Sequence, residues 1–251
     1  MFDRFKSTFK SSLSSVGRTF LGRKMPTNAH SILPTESQPV SVYVIILESI
    51  SKTIGTKRLR SWKVIKVERL KSDRPSAHES ARAWVRDPDG RMSFVIFERS
   101  GGQPKSLGSL PDLLQPYRNA SKSASSSASN LCSPDLMAVD TVFPMKFNES
   151  REDEKVVGTL EFGDDNYPSL YEVAKLADIV HKSSSNYSLF SSNCYHFAAT
   201  IMLVLAAIYY SDIDMGASAG RWCGLDLTSG NLPNISHLCE QLKKAISKTV
   251  S

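Results

Sequence analysis

Cysteine is scarce in this chain: Cys132, Cys194, Cys223 and Cys239 are the only four among 251 residues, and no two form a C-x-x-C pair. That excludes a disulfide-stapled secreted domain and the paired-cysteine zinc modules. No Gly-rich phosphate loop is present, so nucleotide chemistry built on one is not expected. The N-terminal residues lack the short apolar core of a secretory signal. The apolar stretch Phe197–Tyr210 has 14 residues, short of the roughly 20 needed to cross a bilayer. These absences point to free thiols in a reducing intracellular compartment, so the N-x-S triplets at Asn119, Asn148, Asn186 and Asn234 carry no glycosylation meaning.

The body also lacks an excess of charge of one sign. Residues 1–24 hold Arg4, Lys6, Lys10, Arg18, Arg23 and Lys24 against Asp3. With 31 Lys and Arg and 25 Asp and Glu in all, the remainder carries 25 basic and 24 acidic residues. The net charge of +6 therefore belongs to the arm. A nucleic-acid groove would need a basic face on the folded body, and no nucleic-acid partner is expected.

The arm has a pattern of its own. Phe2, Phe5, Phe9, Leu13, Val16 and Phe20 recur at spacings of three and four, with Ser and basic residues between them. This stripe opposite a cationic face suits an anionic membrane surface. The same acid-poor, Ser- and Arg-rich composition fits a mitochondrial presequence, and a helix packed on the domain or a bare arm also fits. The expected location is cytoplasmic with peripheral membrane association, or mitochondrial in the alternative. Residues 25–39, with Pro26, Pro34 and Pro39, read as a linker, and 40–250 as one folded domain.

In that domain, the β-branched run Val40–Glu48 predicts a strand, as does Ser61–Arg69. Ser80–Arg86 and Met92–Glu98 flank Asp87-Pro88-Asp89-Gly90-Arg91, a hairpin turn signal. Residues 119–134 are Ser-rich and predict a surface loop. Val139–Phe147 and Lys155–Phe162 read as a second strand pair joined by a charged connection. Helices follow. Ser169 and Glu172 make a capping box ahead of Leu170, Val173, Leu176, Ala177 and Val180. Asn193 or Ser192 caps a helix from Cys194 to Tyr210, apolar nearly all round and so central and buried, with Asp212, Asp214 and Gly216 ending it. A last amphipathic helix spans Asn234–Val250, with Leu238, Leu242, Ile246 and Val250 inward. Strands first and helices after give an α+β fold, a mostly antiparallel sheet packed on a buried central helix.

Chemistry concentrates at Asn193-Cys194-Tyr195-His196-Phe197-Ala198, where that helix begins. A thiol in a first helical turn sits at the positive end of the helix dipole, among unbonded N–H groups, which favours the nucleophilic thiolate. A free cysteine is also commonly a small buried hydrophobe. The segment Tyr187-Ser-Leu-Phe-Ser-Ser-Asn193-Cys194-Tyr-His-Phe197-Ala198 resembles the nucleophile motif of circularly permuted papain-like families: the lecithin retinol acyltransferase-like and NlpC-like proteins and the PPPDE-like peptidases. The resemblance rests on about a dozen residues and extends over about residues 40–210. It implies a cysteine nucleophile at Cys194 and a strand histidine upstream as base. His78 is the histidine of the strand half, and Glu98 at the end of the following strand is the group to orient it. In these families an aromatic and aliphatic strand follows the histidine directly, whereas here Glu79-Ser80 precede Ala81.

His196, at i+2 from Cys194, does not face it on a helix and reads as a surface or packing residue. His181, at a helix end, and His237, at a helix start, read as structural. Cys194 and His196 alone are no start for a zinc site, and no cofactor is expected. The resemblance implies a cysteine-dependent hydrolase or acyltransferase acting through an acyl-enzyme on a peptide, isopeptide, thioester or lipid ester. The alternative is a membrane-associated binding or scaffold protein that keeps the fold without turnover.

Overall fold

The computed structural model describes residues 32–73, 78–101, 138–145, 153–163, 165–184, 193–222, 225–226 and 233–248. The arm 1–24, residues 25–31 of the linker and the Ser-rich stretch 119–134 lie outside them. Of the two units into which the chain divides, Met1–Ile32 and Leu33–Ser251, the second is described below.

The expected hairpin forms its centre. Strands β2 (Lys63–Ser72), β3 (Glu79–Arg86) and β4 (Met92–Gly101) form an antiparallel meander. At the β3–β4 turn, Asp87 Oδ1 accepts the amides of Asp89 and Arg91 at 2.9 and 2.8 Å, and Gly90 takes a φ of 84° that a side chain would resist.

The later strands do not pair with each other as expected. β5 (Ala138–Met145) joins β4, and β6 (Glu154–Glu161) joins β2. The sheet order is β1-β5-β4-β3-β2-β6-β7, so the whole meander separates them. Their connection carries no tight-turn chemistry, so each strand completes a different open edge of the meander. The end of the expected linker also enters the sheet: β1 (Gln38–Pro39) pairs with Val142 and Thr141 of β5.

Val40–Glu48 is not a strand. It belongs to helix α1 (Val40–Ile54), followed by the short α2 (Thr56–Arg60). Its β-branched residues favour a strand, but Val40, Tyr43, Val44, Leu47 and Ile50 are the buried positions, a spacing of three and four that only a helix presents to one side. Gly55, with a φ of 83°, stops the helix. Burial of this stripe overrides intrinsic propensity.

Helix α3 (Leu170–Ser183) starts at the expected capping box: Ser169 accepts the Glu172 amide, and the Glu172 carboxylate accepts the Ser169 amide at 2.6 Å. Helix α4 (Cys194–Tyr209) is the buried centre, packed on β2, β3 and β4 and flanked by α3 and the amphipathic α5 (Ile235–Lys248). β3 alternates, and its inward Ala81 and Ala83 are small enough for a helix to approach closely. Phe197, Ile201, Met202, Val204 and Leu205 of α4 are fully buried, each contributing about 1.5–3 kcal/mol. α4 ends because Tyr210 turns left-handed (φ 53°), one residue earlier than expected; Ile213–Met215 then forms β7 on the edge of β6 instead of a terminating loop. β8 (Arg221–Trp222) and β9 (Leu225–Asp226) make a separate two-stranded ribbon. Among the described residues, then, five helices and an antiparallel seven-stranded sheet give an α+β architecture.

Candidate functional site

Asn193 places the thiol. Its fully buried side chain accepts the His196 amide at 2.9 Å and its carbonyl accepts the Phe197 amide at 3.1 Å, so the helix opens with Cys194 as its first residue. Cys194 is 4% exposed, and none of the free thiols described is paired.

His78 comes to it from the sheet. Its carbonyl accepts the Ser72 amide at 2.8 Å, which holds it in register at the head of β3. Ser80 lies opposite Glu98. His78 immediately precedes β3, whose first residue is Glu79, so its side chain is not bound by the alternation of the strand and its imidazole reaches Glu98 at the end of β4. The His78 Nε2 to Glu98 Oε2 distance is 3.5 Å, and the two side chains are 27% and 23% exposed. The Cys194 side chain lies beside the same imidazole and acts on its protonation. The structure therefore brings Cys194, His78 and Glu98 together, with the histidine between sulfur and carboxylate. Burial on its own would lower the His78 pKa. The interactions with Cys194 and Glu98 outweigh it and raise the pKa to about 10.

The polar pair after His78 has a structural explanation. Glu79, the first residue of β3, lies on the same face as Ala81 and Ala83, toward α4. Glu79 is completely buried. It forms an ion pair with Arg69 of β2 and accepts the Gly220 amide at 3.0 Å, with Lys71 Nζ 3.8 Å away. Burial raises its pKa, against the opposing pull of Arg69 and the Gly220 amide. Arg69 also donates to the Tyr195 carbonyl, at 3.1 Å, in the first turn of α4.

A second buried pair lies along α4. Asp140 of β5 receives both arms of Arg99, at 2.7 and 2.6 Å, and His181 Nδ1 at 2.9 Å. The Arg99 guanidinium stacks 5.0 Å from the Phe197 ring centre. His181 is thus tied into this buried pair, while His237 near the start of α5 has its amide capped by Asn234 and its Nε2 2.7 Å from the Gln241 side chain. His196 is 2% exposed, a packing residue and not a surface one.

Sequence reasoning missed Arg69, Glu79, Arg99 and Asp140. For Arg69 and Glu79 the available signal was charge at inward positions of β2 and β3; Arg99 and Asp140, on β4 and β5, had none. A groove of about 560 Å³ between α1, α3 and α5, lined by Glu48, Lys52, Tyr171, Lys175, Lys244 and Lys248, shares no residue with the Cys194 site. Among the described residues no group of His, Cys, Asp and Glu could hold a metal ion, and no helix is long and apolar enough to cross a membrane.

Comparison of the chain with protein-family models, curated proteins and solved structures finds no match.

Proposed function

We propose that this protein is a cysteine-dependent hydrolase or acyltransferase of permuted papain-like architecture. The observation that carries the reading is the imidazole of His78 lying beside the Cys194 side chain and 3.5 Å from the Glu98 carboxylate. A sulfur at a helix start with an imidazole beside it is arranged as a nucleophile next to its base. In the proposed reaction Cys194 Sγ attacks a carbonyl carbon and forms a C–S bond. The C–N or C–O bond to the leaving group breaks, and His78 gives that group its proton. Water or an acyl acceptor then attacks the thioester, His78 takes up the incoming proton, and the sulfur is released. Glu98 holds the imidazole in orientation throughout. Asn193 takes the amides of His196 and Phe197, so the oxyanion is left to the other backbone N–H groups at the start of α4, those of Cys194 and Tyr195.

A thiol-reactive acyl probe tests this. Labelling should vanish in Cys194→Ala and fall by about 10²-fold or more in His78→Ala. Labelling spread over the four cysteines, and insensitive to His78, would refute it.

The 4% exposure of Cys194 favours a second reading, a non-catalytic binding or scaffold protein of the same fold. In either reading residues 1–24 address the chain to an anionic membrane surface, which is a proposal on their sequence pattern alone.

A further inference from the structure

We infer that Arg69 is a positioning residue for the Cys194–His78 pair: one buried guanidinium ties the residue after the base to the residue after the nucleophile, and so sets how sulfur and imidazole meet. This rests on the catalytic reading of that pair. The two connections are specific. Arg69 Nε donates to the carboxylate of Glu79, the neighbour of His78, and Nη2 donates at 3.1 Å to the carbonyl of Tyr195, the neighbour of Cys194. Apolar side-chain packing between sheet and helix tolerates small slides; a planar fork with fixed donor directions does not.

Helix stability does not call for this residue. The first turn of a helix favours anions, so a guanidinium there is electrostatically adverse unless a carboxylate neutralises it. Arg69 is 2% exposed and Glu79 is fully buried, so both are desolvated, and a buried ion pair contributes little net stability over apolar side chains of similar size. What the pair does supply is direction. Glu79 is itself oriented by the Gly220 amide at 3.0 Å, and Lys71, 3.8 Å from Glu79, donates to the Ser218 carbonyl at 2.8 Å. The segment after β7 therefore braces the carboxylate that aims Arg69.

The test is the rate of iodoacetamide alkylation, read on the Cys194 peptide by mass spectrometry from pH 5 to 10. It compares the full-length chain with Arg69→Lys, Glu79→Gln and His78→Ala, and circular dichroism checks the fold of each. Lysine keeps the charge without the fork, and Gln keeps the shape without the charge. Both variants should fold, slow Cys194 alkylation at pH 7 by about tenfold to a hundredfold, and move the pH profile to the alkaline side, since small misplacements of reacting groups have effects of that size. Profiles for Arg69→Lys and Glu79→Gln that superimpose on the parent, while His78→Ala is slowed, overturn the role of Arg69 and leave the catalytic reading standing. If His78→Ala also superimposes, the catalytic reading itself fails. Loss of fold in both Arg69→Lys and Glu79→Gln overturns the inference too, because Arg69 would then be a structural ion pair.

Discussion

His78 stays protonated to a higher pH than a free imidazole, because the sulfur of Cys194 and the carboxylate of Glu98 stabilise its charge more than burial opposes it. The sign of the resulting pH dependence follows from linkage. Its pKa rises from 6.5 in the open chain to about 10 in the fold, so folding takes up a proton between those values. The stabilisation is complete below pH 6.5 and is lost as the pH climbs through about 10. Urea unfolding of the parent and His78→Gln at pH 6, 8 and 10 should show a stability gap that shrinks steadily. A gap that widens with pH would contradict the charged imidazole. At this scale the sequence was informative for Cys194 and for the upstream histidine, because one sits in a capped apolar helix and the other heads a strand. It was silent on Glu79, whose polar character looked like a fault in the strand until Arg69 and Gly220 were found around it.

At the scale of elements, local signals were legible wherever the chemistry was local. The Asp87–Arg91 turn, the Ser169–Glu172 box and the Asn193 cap all depend on residues within four positions of one another. Asn193 is the sharpest of them, being both buried and the residue that fixes where Cys194 falls on α4. Asn193→Ala should destabilise the protein by about 1–2 kcal/mol in chemical denaturation, and Asn193→Asp by clearly less, since aspartate can cap as well. What local signals could not give was partnership. α1 was misread because its β-branched content competes with its burial stripe, and β5 and β6 were misread as partners because adjacency in sequence does not specify an edge.

For the molecule as a whole, Arg99 and Asp140 join β4 and β5 to each other, to α3 through His181 and to α4 through Phe197. Both side chains are completely buried. Asp140→Ala leaves a guanidinium without its counter-charge and should cost about 3–5 kcal/mol in thermal or chemical unfolding. The double replacement Arg99→Met with Asp140→Leu should recover most of that loss. No sequence pattern announces such a pair, since its members lie on different strands and neither occupies a position that a motif would flag.

The sheet order has one more consequence. β3 is the fourth of seven strands, hydrogen-bonded along both sides. The imidazole at its head is thus hung from the part of the sheet least able to peel away, and edge fraying at β1 or β7 does not reach it. Movement of β3 itself away from α4 would require breaking ladders on both of its sides, so loss of the strand's support for the imidazole accompanies opening of the sheet's centre.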